Sequence, residues 1–181
     1  LIEIGQYEEA LQACQDAEAA GYGGLLCEFE TAHALQRMHR NEEALESIER
    51  CLAMEWPHDL TGDYGIVTHK RHLLKGQILA QMGRFTDAID LFDFVLGVDP
   101  ASSVALFSKA TTLAAMGKPI EALKGFEAGF GDPGLGAANR KGAAKVYQTL
   151  GQVDTACTLF EEAWRLRTHD QNLWVQWVQC A

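Results

Sequence analysis

One short pattern recurs five times along these 181 residues, and its spacing constrains the fold more than any other feature of the chain. The copies read GQYEEAL from Gly5, HRNEEAL from His39, GRFTDAI from Gly83, GKPIEAL from Gly117 and GQVDTAC from Gly151. They follow one another at steps of 34, 44, 34 and 34 residues, and each sets an alanine five positions after its first residue: Ala10, Ala44, Ala88, Ala122 and Ala156. A period of this size belongs to a solenoid, whose unit is too small to bury its own apolar face and stacks on its neighbours.

The third unit shows how a copy is built. Leu73, Leu74, Ile78, Leu79 and Met82 recur at helical spacing, Gly83 breaks the helix, and Ala88, Ile89, Phe92, Val95 and Leu96 mark a second amphipathic helix. Each unit is thus a helical hairpin. Gly76 and Ala88 allow its two helices to approach closely, because a larger side chain at the crossing pushes the backbones apart. Phe92 is placed to fill the space between hairpins. The fourth unit repeats the scheme with Ala110, Gly117, Ala122, Phe126 and Gly129, and the fifth with Ala144, Tyr147, Gly151, Ala156, Phe160 and Ala163. Of four prolines, Pro57, Pro100 and Pro133 fall near unit boundaries and Pro119 where a helix begins, so no long helical segment is interrupted. An all-helical fold follows, and a composition 48% apolar and 22% charged can supply its core.

These residues resemble the tetratricopeptide repeat (TPR) signature: a small residue in the first helix, Gly at the turn, Ala and then an aromatic in the second helix, and Pro at the end. Gly76, Leu79, Gly83, Ala88, Phe92 and Pro100 carry it in the third repeat. Departures are His39 in place of the turn Gly, Cys14 and Ile48 in place of the aromatic, and Pro133 one position early. The resemblance implies an all-α, right-handed superhelical solenoid of antiparallel hairpins over 1–181. Its partial first repeat is 1–24, its full repeats are 25–58, 69–102, 103–136 and 137–170, and a partial repeat over 171–181 has Trp174 where the family often has Trp. The 44-residue step puts a ten-residue insertion at 59–68. There Gly62, Tyr64, Gly65, Thr68, Lys70 and Arg71 are similar to the linker of TPR regions appended to bacterial sugar-nucleotide glycosyltransferases. That likeness gives an alternative reading, an accessory region whose catalytic domain lies outside this segment, since no DxD is present. The start at Leu1 and repeats cut at both ends are in keeping with a segment of a longer protein.

In TPR proteins the first helices line the concave surface, so charge can be sorted by helix. First helices of repeats three to five hold Lys70, Arg71, Lys75, Lys109, Arg140, Lys141 and Lys145 and no acid, whereas second helices hold Asp87, Asp90, Asp93, Glu121, Glu127, Asp154, Glu161 and Glu162. A chain of net charge −10 is thereby expected to present a locally basic inner face to an acidic peptide. The candidate contact residues are Lys70, Leu73, Gln77, Phe107, Thr111, Lys141, Lys145 and Gln176. Chaperone-binding TPR domains grip a terminal carboxylate with Lys and Asn at set inner positions. Lys141 and Lys145 occupy two of these and Gln176 an Asn-like one, but Leu73, Gln77, Phe107 and Thr111 stand at the others, so no complete clamp exists in the chain.

The same residues argue against other classes. The acidic balance does not suit nucleic acid, which is held by Lys and Arg on phosphates. No apolar run approaches the roughly 18 residues of a membrane span. His69 and His72, with Asp59 or Asp63, lack a third positioned metal ligand. The glycines at Gly134 and Gly136 follow no strand, so they read as a turn and not a phosphate loop. Neither Cys27 nor Cys157 has a neighbouring base. Cys14, Cys27, Cys51, Cys157 and Cys180 form no CxxC and sit among apolar residues, which reads as five reduced thiols in a cytoplasmic protein. Trp174 and Trp177 are expected to pack against repeat five, and to be exposed only where the chain ends at Ala181. The expectation is therefore a non-catalytic, cofactor-free scaffold for a protein or acidic peptide, with self-association through the terminal repeats as a further possibility.

Overall fold

The computed structural model describes residues 2–55, 69–167 and 170–180, and the insertion at 59–68 lies outside them. Among the described residues there are ten α-helices and no strand. The chain divides into two compact units, Leu1–Pro100 and Ala101–Ala181. The first holds α1 (Ile2–Ala19), α2 (Leu25–Arg37), α3 (Asn41–Ala53), α4 (Arg71–Gln81) and α5 (Phe85–Val98). The second holds α6 (Ser103–Ala115), α7 (Pro119–Ala128), α8 (Gly136–Thr149), α9 (Val153–Leu166) and α10 (Gln171–Cys180). Within each unit every helix packs chiefly on the helices before and after it in sequence.

Four hairpin turns share one backbone device. Gly83, Gly117 and Gly151 take φ of 79°, 74° and 75°, and His39 takes 59° at the equivalent place. The amide one residue later reaches back over the helix end: Arg40 N–H donates to Leu35 O, Arg84 to Leu79, Lys118 to Leu113 and Gln152 to Tyr147, at 2.9–3.0 Å. This is the Schellman closure, which needs one left-handed residue and satisfies carbonyls the helix would leave unpaired. The next helix starts two residues past the turn in every case, with Pro119 as the first residue of α7. The first sequence copy differs, because α1 runs as helix through Gly5.

The repeated positions are the core. Ala44, Ala88, Ala122 and Ala156 are each fully buried, and the aromatic position is filled by Phe92, Phe126 and Phe160, or by Ile48 in the second repeat, none more than 2% exposed. Contacts at the crossings explain the small residues. A Cβ on Gly76 would lie 2.7 Å from Cε1 of Phe92, one on Gly125 2.8 Å from Cβ of Ala110, and one on Gly142 2.5 Å from Cε1 of Phe126. Packing of this density leaves no room for a methyl group.

The turn between α7 and α8, where Gly134 lies and which Gly136 ends as the first residue of α8, is built by two polar side chains. Asp132 Oδ1 accepts the N–H groups of Gly134 and Leu135 at 2.8 and 2.6 Å, and its Oδ2 accepts the Ser103 hydroxyl from α6. The Ser103 hydrogen bond, with those amides, holds its carboxyl below the ordinary Asp value. Buried Asn139 donates from Nδ2 to Gly129 O at 3.1 Å and to Leu135 O at 3.0 Å, which fixes the start of α8 against the end of α7.

One expectation is corrected here. Cys157 and Cys180 are not separate thiols: a disulfide joins α9 to α10 with Cα atoms 5.3 Å apart. A separation of 23 residues matches no sequence motif, and the pairing appears only when α10 folds back on α9. Trp177 stacks on Trp164 with ring centroids 5.4 Å apart, and Trp174 on the same helix is 49% exposed.

Candidate functional site

An open groove of about 770 Å3 in the second unit runs across α6, α7 and α8. Four of the eight candidate residues meet in it: Phe107 and Thr111 from α6, and Lys141 and Lys145 from α8. One turn separates the members of each pair, so both point the same way from their helix. Phe107 packs edge-on against buried Phe126, centroids 5.9 Å apart. Pro119, Val146 and Leu150 extend this apolar lining, and Gly142 lets α8 pass directly over the Phe126 ring. Thr111 donates its hydroxyl to Phe107 O at 2.9 Å, leaving its oxygen lone pairs to accept from a ligand.

Electrostatics sorts the basic residues more sharply than the sequence does. Lys75 is paired with Glu49 of α3 at 2.9 Å. Arg71 donates to the carbonyls of Cys51 and Met54 at 3.2 and 3.4 Å, tying α4 to the end of α3. Arg140 pairs with Glu162 of α9 at 3.0 Å, donates to Phe130 O at 2.7 Å and lies over the Phe130 ring. Lys70 and Lys109 also have partners. By contrast, Lys141 is half-buried, Lys145 is exposed, and neither meets a carboxylate among the described residues. Of the seven basic residues on these first helices, the other five are partnered. Helix sorting missed this because Glu49 and Glu162 reach across from second helices.

The other candidates lie elsewhere. Leu73 packs against the buried cluster of Leu79, Ala88 and Phe92, so it is a core contact. Lys70 and Gln77 are half-buried in the first unit and partnered. Gln176 is half-buried on α10 and does not line the groove. Sequence reasoning did not place Pro119, Ala138, Gly142, Val146, Thr149 or Leu150 in a site; helical spacing to Lys141 and Lys145 is the signal that places the last four.

A second cavity, of about 520 Å3, opens among α1, α2 and α3 of the first unit. Its cations are already used: Arg50 forks onto buried Glu28 at 2.7 and 3.0 Å and onto Ser47 at 3.0 Å, and Arg40 onto Glu43. Cys14 lines it, its thiol pushed up by burial, which makes it a poor nucleophile at neutral pH. Among the described residues no group of three or more His, Cys, Asp or Glu could hold a metal ion, and no helix is long and apolar enough to cross a membrane. His72 instead packs its ring on Phe94 at 4.6 Å. The glycosyltransferase-like stretch from Gly62 to Thr68 lies outside the described residues.

No protein-family profile and no curated protein sequence matches the chain. Solved structures do. A thermophilic TPR protein of Thermus thermophilus is 15% identical with a TM-score of 0.74, over 97% of this chain and 91% of that one. The TPR protein YrrB, described as having an unusual peptide-binding site, is 19% identical with a TM-score of 0.62, over 96% of this chain and 84% of that one. The structure of the APC/C hetero-tetramer Cut9–Hcn1 matches with a TM-score of 0.76 at 14% identity, over 98% of this chain but 33% of that one. With these structural likenesses, this chain's helical hairpins, closed by left-handed turns and filled at recurring alanine and aromatic positions, have the tetratricopeptide repeat fold.

Proposed function

We propose that this chain is a non-catalytic scaffold that binds an acidic peptide segment of a partner protein in the α6–α8 groove. The observation that carries this reading is the pairing of an apolar floor, Phe107 over Phe126, with two lysines that meet no carboxylate among the described residues. Such a groove takes an apolar side chain on the rings and a carboxylate at the ammonium groups, while the lysine stems cover the chain between them. The neighbours support the class of partner, since one is described by its peptide-binding site and another by its hetero-tetramer. Phe107 stands on α6 and the two cations on α8, so a ligand that engages both must bridge α6 and α8, which an extended peptide does.

The test is a titration of the whole chain with a fluorescent acidic peptide carrying one phenylalanine. Lys141→Glu with Lys145→Glu is expected to weaken binding by roughly tenfold or more, because attraction becomes repulsion at both sites. Phe107→Ala is expected to weaken it by a similar factor through the lost apolar contact. Unchanged affinity in both variants would move the site away from this groove.

A further inference from the structure

The Cys157–Cys180 bond fastens α10 to α9. α10 is 10 residues long, a length at which an isolated helix is marginal in water. Its buried residue, Leu173, lies in the first turn, where Asp170 Oδ1 accepts the N–H groups of Asn172 and Leu173 at 3.0 and 3.2 Å. Further along, Trp177 stacks on Trp164 of α9. The last turn is anchored by Cys180, bonded to Cys157 on α9. The remaining apolar residues of α10, Trp174, Val175 and Val178, are between 41% and 50% exposed. One end of α10 is thus held by packing and a cap, and the other by a covalent bond that responds to redox state. Both cysteines are half-buried at the edge of the α9–α10 contact, not sealed in the core.

We propose that this disulfide is a redox latch: a dithiol reductant opens it and releases α10 from α9, uncovering the surface now beneath Leu173 and Trp177. One thiolate of the reductant attacks a latch sulfur and forms a mixed disulfide, expelling the other cysteine as thiolate. The second thiol of the reductant then displaces the remaining cysteine and closes the reductant into its own disulfide. Two electrons and two protons pass to Cys157 and Cys180, and no other bond changes. The three other cysteines stand apart from this step, since Cys14, Cys27 and Cys51 are free in the structure.

The experiment is hydrogen exchange on the whole chain, air-oxidised and then treated with dithiothreitol, read by mass spectrometry on peptides covering 171–180. A parallel alkylation map locates the bond. Removing a cross-link over 23 residues is expected to raise opening of α10 on the order of a hundredfold, with exchange of α6–α9 unchanged. Cys180→Ser should exchange at the faster rate with or without reductant, and a separate Cys157→Ser variant should match it. Three results would overturn the latch. They are Cys157 and Cys180 mapping as free thiols in the oxidised chain, exchange over 171–180 that reduction leaves unchanged, and loss of protection spreading through α6–α9, which would make the bond a staple for the whole unit.

Discussion

Gly142 shows how much a single hydrogen atom decides in this fold. It lies on α8 over the ring of Phe126, where a methyl group would come within 2.5 Å of a ring carbon. That ring is 2% exposed and braced by Phe107, so it has no free direction in which to swing. Gly142→Ala is therefore expected to destabilise the chain by about 1–3 kcal/mol in urea denaturation, although alanine is the better helix former by about 1 kcal/mol. Gly97→Ala is the control, because nothing lies within 4 Å of a Cβ there. A neutral Gly142→Ala would mean that Phe126 yields and the groove has a soft floor. Alanines such as Ala44 and Ala156 were legible in the sequence, since every copy has the same crossing to satisfy. The partners of Lys75 and Arg140 were not, because each ion pair joins residues 22 or more positions apart on different helices.

Elements are set by their punctuation. Three of the four hairpin turns use glycine in the left-handed region, and the other forces His39 to φ 59°. A side chain there costs roughly 1–2 kcal/mol, of which the greater freedom of glycine in the unfolded chain takes back about half. His39→Gly is expected to stabilise the first unit by about 0.5–1 kcal/mol, seen as a higher urea midpoint with an unchanged slope. A lower midpoint would show that the histidine ring makes a contact worth more than its backbone strain. Helix positions were readable because turn, alanine and aromatic stand at fixed offsets, and the structure repeats those offsets from α2 to α9. The disulfide was not readable, since Cys157 and Cys180 belong to consecutive hairpins and their spacing reflects how α10 returns to α9. Part of the groove was readable from helical register, which sets Lys141 one turn before Lys145. That it faces Phe107 and Thr111 depends on how α6 meets α8.

At the scale of the molecule, charge and connectivity matter most. On the proposed reading, a net charge of −10 repels an acidic ligand at a distance, and the local field of Lys141 and Lys145 is what draws it into the groove. With a screening length of about 8 Å at physiological salt, peptide affinity is expected to fall several-fold between roughly 0.05 and 0.5 M NaCl, and the Lys141→Glu, Lys145→Glu variant to lose that dependence. Salt-independent binding by the parent chain would mean that the apolar floor alone holds the ligand. Helices that pack mainly on their sequence neighbours also set the kinetics of the chain. Such contacts close short loops, so the search for the native arrangement is brief and each hairpin can template the next. Damage is confined in the same way: an overpacked residue in one hairpin strains that hairpin and its two neighbours, while more distant copies keep their shape.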